Sequence, residues 1–217
     1  MSELSYVERR PAGVGECLLI LHHGRGSDEL DLMGLADVLD PAGRMHIVSP
    51  RAPLQLPGSP GYHWYTVPRV GHPDPETFQA AFVALSALHD QLWLETGFGP
   101  QQTVLGGFSM GAVLSYSMGL ASARPTVAGI LAFSGFIPTV SGWEADLGAH
   151  AGTRVFISHG RNDPILPVDL ARQADARLFA SQFDVTYVET DAVHNIDFEQ
   201  VTAAAAWLGE SLPTSVT

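Results

Sequence analysis

The sequence predicts an α/β chain: a doubly wound, mostly parallel sheet with helices on both faces. Three observations carry that expectation. Short apolar runs, such as residues 17–21 and 127–133, are continuous rather than alternating, as in strands buried on both faces. Between these runs lie segments whose apolar residues recur every three or four positions, the pattern of helices that cover such a sheet. The runs lead into loops rich in glycine and polar residues, and ligands of an open parallel sheet bind at the loops after strand C-termini. With 46% hydrophobic residues, a chain of 217 can bury a sizeable core, and one domain over 1–217 is expected.

Taken in order, residues 5–9 read as a short strand polar enough for a sheet edge, and 11–15 as a turn. Residues 16–22 form the first buried strand and run into His22-His23-Gly24-Arg25-Gly26-Ser27. Ser27 is placed to cap a helix carrying Leu32, Leu35 and Leu39 on one face. A short strand at 45–49 ends at Pro50. From 50 to 75, seven prolines and three glycines exclude a regular element, and the long loop they make carries His63, Trp64 and Tyr65 near the site. A helix is predicted over 76–95, with Phe78, Phe82, Leu85 and Leu92 on one stripe and Gly97 and Gly99 beyond its end. The strand at 103–105 leads into a helix carrying Val113, Tyr116 and Leu120, and further strands fall at 127–133, 154–158 and 185–188. A helix at 167–182 has Leu170, Ala174 and Leu178 in register, and a final helix has Phe198, Val201, Ala205 and Leu208 on one face. The tail 211–217 is expected to fray.

Charge and composition exclude several classes of function. A net charge of −12, from 11 basic against 23 acidic residues, repels phosphate backbones and anionic membranes, so no nucleic acid partner is expected. All the basic residues are arginine, which removes lysine Schiff-base chemistry and the lysine of a phosphate-binding loop. Cys17, the single cysteine, sits in an apolar run and reads as a buried structural thiol. There is no apolar stretch of membrane-spanning length, and residues 1–11 lack the apolar region of a signal peptide, so a cytoplasmic location is expected. His22, His23 and His159 lack metal-ligand spacing; they read as hydrogen-bonders that fix loops, and no metal is expected.

The stretch around which the chain is organised is Gly107-Phe108-Ser109-Met110-Gly111, a strand–turn–helix junction. Glycines on both sides allow a turn sharp enough to hold Ser109 strained and exposed above the sheet, at a helix N-terminus that favours negative charge. The competing reading is a serine that only caps the helix. A serine nucleophile needs a base, and the base needs a partner that holds its tautomer. His194, in the loop after the last strand, is the candidate base, and Asp163, in the preceding post-strand loop, is the candidate acid. Asp163 precedes Pro164 and could instead serve only an Asx turn, while Asp191 and Asp197 compete to orient His194. The N–H groups of Met110 and Arg25 are the candidate oxyanion hole. The Arg25 guanidinium is expected to pair with Asp28 or Glu29 at the surface, the alternative being an acidic group of a substrate. Trp64, Phe136, Ile137 and Leu166 are the candidate lining of an acyl pocket.

Together with Pro50-Arg51-Ala52-Pro53, Trp64-Tyr65, His159-Gly160 before Asp163-Pro164, and His194-Asn195-Ile196, these motifs resemble the phospholipase/carboxylesterase branch of the α/β-hydrolases. The branch includes bacterial carboxylesterases and acyl-protein thioesterases, and the resemblance runs from Leu18 to Leu208. It implies the α/β-hydrolase fold, with Ser109 as nucleophile, Asp163 as acid, His194 as base and Met110 with Arg25 as oxyanion hole. It also implies hydrolysis of a small ester or thioester substrate without metal or organic cofactor, and leaves a homodimer open. Lipidated substrates such as lysophospholipids or acylated proteins are the nearer alternative, and a non-catalytic ligand-binding protein on the same fold the more distant one. Here Ala192-Val193 precede His194 where the family often has glycines.

Overall fold

In the computed structural model, which describes residues 4–211, the apolar runs are strands: β1 (Tyr6–Arg9), β2 (Cys17–His22) and β3 (Met45–Pro50), followed after a hairpin by β6 (Thr103–Phe108), β7 (Gly129–Phe133), β8 (Arg154–Gly160) and β9 (Asp184–Thr190). The hairpin strands are β4 (Leu54–Gln55) and β5 (Tyr62–His63). The α-helices are α1 (Ala36–Leu39), α2 (Pro75–Thr96), α3 (Met110–Leu120), α4 (Asp169–Ala180) and α5 (Phe198–Ser211). One seven-stranded sheet has the order β1-β3-β2-β6-β7-β8-β9. β1 runs antiparallel at the edge, and every other neighbouring pair is parallel.

Alternation along each buried strand sends side chains to two cores. Leu18 and Ile20 of β2 pack with α2, α3 and α4, whereas Cys17, Leu19 and Leu21 pack with α1 and α5 on the opposite face. Full burial of each such leucine or isoleucine contributes about 1.5–3 kcal/mol. This is the doubly wound α/β-hydrolase architecture. The strand order reverses between β2 and β6, and a crevice opens beyond the C-terminal ends of strands at such a switch point. The loop after β2 and the turn after β6 meet there, with His22 in register with Gly107. Among the described residues, no helix is long and apolar enough to cross a membrane.

β6 runs three residues beyond the expected 103–105 and β7 starts two residues after 127, and four further details depart from expectation. Ser27 does not cap a helix: it bridges to Tyr62, and the following chain enters a short 3-10 turn (Leu32–Leu35) before α1. Backbone bonds from Tyr62 N–H to Ser27 and from Gly26 N–H to Tyr62, at 2.8 and 2.7 Å, draw Ser27 into a pairing that competes with capping. Those bonds dock the 50–75 segment onto the loop after β2, and only glycine fits at 61, where a Cβ would lie 1.9 Å from the Gly26 carbonyl oxygen. Second, that segment is not wholly irregular, since Leu54 and Gln55 pair with His63 and Tyr62 in the space between its prolines. Third, the buried face of α5 is Val201, Ala204, Trp207 and Leu208, while Phe198 is 80% exposed. Phe198 opens the helix, a turn away from the sheet that the later residues cover. Fourth, β8 and β9 run two residues further than predicted, because ladder pairing continues through His159 with Glu189 and Gly160 with Thr190. The frayed tail expected at 211–217 lies outside the described residues, apart from the backbone of Ser211 at the end of α5.

Candidate active site

β6 delivers the chain to Ser109 and α3 carries it away, and the turn between them is tight. Ser109 has φ 54° and ψ −117°, a left-handed conformation that costs a non-glycine residue about 1–3 kcal/mol. A Cβ at Gly111 would lie 1.9 Å from the His22 carbonyl oxygen, and one at Gly107 would lie 2.4 Å from the Gly111 carbonyl carbon. The two glycines are therefore required by close approach, and the strain is held by packing from both sides. Ser109 N–H donates to Phe133 O at 2.9 Å, which ties the turn to β7. The Ser109 side chain makes no cap bond to α3. Its Oγ lies 2.9 Å from His194 Nε2 instead.

His194 Nδ1 in turn lies 2.6 Å from Asp163 Oδ2. With Nδ1–H donating to the carboxylate, Nε2 is the acceptor for the Ser109 hydroxyl. Asp163 also forms the turn that the alternative reading required: its Oδ1 accepts from Ile165 N–H and Leu166 N–H at 2.8 and 2.9 Å. The two roles use different oxygens. Burial opposes ionisation of Asp163, but the hydrogen bonds from His194 and from the Leu166 and Ile165 N–H groups outweigh it and hold the carboxyl below its ordinary range. The rival acids are engaged elsewhere. Asp191 does follow β9 directly, yet its side chain is 86% exposed and pairs with Arg161, while Asp197 Oδ1 accepts from Gln200 N–H at the start of α5.

Neither Met110 N–H nor Arg25 N–H has a partner among the described residues, and both residues line the cavity that contains Ser109. This cavity, of about 510 Å³, is also bounded by Tyr65, Phe136, Ile165, Leu166 and His194. Phe136 and Leu166 thus stand on its wall, whereas Ile137 lines only an adjoining groove. Trp64 does not line the cavity: it is fully buried, with Nε1–H donating to His23 O at 2.9 Å and its ring packed against His22 and His23. Tyr65, at the next position, takes the place on the wall. Trp64→Ala is accordingly expected to cost about 3–5 kcal/mol of stability in urea denaturation and to leave the ranking among acyl chain lengths unchanged. A changed ranking at unaltered stability would put Trp64 back on the cleft wall.

The expected surface pair of Arg25 is not formed. Glu29 is gripped by Arg51, through Nε at 2.6 Å and also through Nη2, and Asp28 Oδ1 accepts from Leu30 N–H. Arg25, Arg69 and His72 all line the cavity, and the last two were not singled out from the sequence; the signal was their place in the long 50–75 segment. Of the three histidines read as fixing loops, His23 and His159 do so, whereas His22, at the end of β2, ties that strand to α3 instead. His22 Nδ1 lies 2.9 Å from Ser115 Oγ, and burial, then His23, push its pKa down to about 3. His23 Nδ1–H donates to Gly24 O at 2.7 Å, and its Nε2 accepts from Ala52 N–H. His159 Nε2–H donates to Leu166 O at 2.9 Å, steadying the turn that carries Asp163.

The chain is similar to several known proteins. Residues 9–212 match the family described as Phospholipase/Carboxylesterase. Acyl-protein thioesterase 1 of Saccharomyces cerevisiae is 28% identical over 196 residues, 83% of this chain and 81% of that protein. Esterase YpfH of Escherichia coli is 24% identical over 212 residues, 96% of this chain and 88% of that protein. The crystal structure of esterase PE8 superposes with a TM-score of 0.83 at 29% identity, covering 97% of this chain and 100% of that one.

Proposed function

The chain belongs to the phospholipase/carboxylesterase family of hydrolases, and from that premise we propose that it cleaves carboxylic esters or thioesters through an acyl-enzyme on Ser109. The observation that carries this reading is the line of hydrogen bonds from Asp163 Oδ2 through His194 to Ser109 Oγ, at 2.6 and 2.9 Å, ending in an open cavity. Ser109 Oγ attacks the substrate carbonyl carbon while His194 Nε2 takes its proton. The imidazolium that forms is stabilised by Asp163, which keeps its charge because its pKa is held low. The oxygen that becomes negative is met by the N–H groups of Met110 and Arg25, which need not break other bonds to receive it. His194 then gives the proton to the departing alkoxide or thiolate, leaving an ester on Ser109. Water enters, loses a proton to Nε2, attacks the acyl carbon and releases the acid, and the proton returns to Ser109 Oγ.

Purified protein is expected to turn over 4-nitrophenyl acetate and butyrate, and a panel of esters and thioesters of graded acyl length would rank its substrates. Binding of these compounds by folded protein without any turnover would contradict the proposal and favour the ligand-binding alternative.

A further inference from the structure

The chain's arginines divide by partner. Of the eleven, eight pair with a carboxylate, and three have none within ion-pair distance among the described residues: Arg25, Arg69 and Arg177. In a chain with 23 acidic residues, an arginine without an acid beside it is the exception. All three exceptions lie along one continuous cleft. Arg25 and Arg69 line the cavity over Ser109, and Arg177 lines a groove of about 680 Å³ that shares Val70, His72 and Phe136 with it. The cavity wall carries no carboxylate, and the one on the groove wall, Asp169, is bonded to Arg172. Arg69 donates to His72 Nε2, a neutral acceptor that orients the guanidinium without cancelling its charge.

A molecule with a net charge of −12 repels anions in general, so a cleft lined with unpaired cations reverses the local field at one place. Guanidinium forks match the oxygens of a carboxylate or phosphate, and they pay off only when such a group arrives. Building on the esterase reading above, we infer that the preferred substrate carries an anionic oxygen group, a carboxylate or a phosphate, which Arg25 and Arg69 hold while its ester carbonyl sits at Ser109. Arg177 extends the same preference along the groove to longer substrates.

The test compares matched pairs of chromogenic or releasable esters. For the carboxylate arm, 4-nitrophenyl hemiglutarate is compared with its methyl-capped counterpart; for the phosphate arm, 4-acetoxyphenyl phosphate is compared with phenyl acetate. In at least one arm kcat/KM is expected to favour the anion by roughly 10- to 100-fold at low salt, the range set by one or two charge-assisted hydrogen bonds. The preference should shrink as ionic strength rises, because these arginines are exposed. Arg69→Gln and Arg25→Gln, the latter keeping its backbone N–H, should each lower the anion-to-neutral ratio about tenfold. Arg10→Gln removes the same charge beside the edge strand and should leave that ratio unchanged. Turnover of the neutral esters with no preference in either arm would overturn this inference and leave the esterase reading standing. No turnover of any ester by folded protein would overturn both. A preference that survives both cleft substitutions would take the arginines out of substrate recognition.

Discussion

Ser109→Ala is expected to lower turnover by a factor on the order of 10⁶ and to leave the fold intact. The size follows from the proposed mechanism, in which the three residues act together: without Oγ, the base at His194 would have nothing to activate and the acyl group nowhere to go. The fold should persist because Oγ bonds only to His194 among the described residues, and caps nothing. The bond that ties the turn to β7 runs through the Ser109 backbone N–H, which alanine retains. Alanine also carries the same strain at φ 54°, so stability should stay within about 0.5 kcal/mol of wild type in denaturant titration. The hydroxyls of Ser134 and Ser158 have no partner among the described residues, but both residues are fully buried and cannot replace Ser109. Residual turnover near wild type would place the nucleophile elsewhere.

His194→Ala should cost as much as the loss of Ser109, and Asp163→Asn about 10⁴. The carbonyl oxygen of asparagine at 163 can keep the bonds from Ile165 and Leu166 N–H, so the loop should hold. Its amide nitrogen then faces His194 Nδ1 as a donor. That forces the proton onto Nε2, where it points at Ser109 and blocks proton transfer. Asp191→Asn is the control, since Asp191 pairs with Arg161 at the surface, away from the His194 ring. A crippled Asp191→Asn beside a near-normal Asp163→Asn would reverse the assignment of the acid.

The parts of this architecture that depend on local pattern were legible in the sequence. Continuous apolar runs identified the buried strands, because burial on both faces removes alternation, and the glycines around Ser109 marked a turn that only close packing requires. What escaped was decided by contacts between distant segments. Ser27 looks like a helix cap until Tyr62 arrives to pair with it, and Trp64 looks like a cleft residue until His22 and His23 enclose it. Phe198 fits the period of α5, but periodicity does not say where the sheet stops covering the helix. The free guanidinium of Arg25 was hidden for the same reason, as Arg51 is 22 positions from the Glu29 it occupies.

Acylation of Ser109 is the step on which the proposed hydrolysis depends, and covalent labelling reads it on the protein itself. A fluorophosphonate probe reacts with a serine whose hydroxyl is activated by a neighbouring base, and digestion with mass spectrometry locates the adduct. The prediction is one adduct per chain on the peptide containing Ser109, formed more slowly when a substrate ester competes and absent from Ser109→Ala. An adduct on another residue, or labelling of Ser109→Ala at the wild-type rate, would contradict the account.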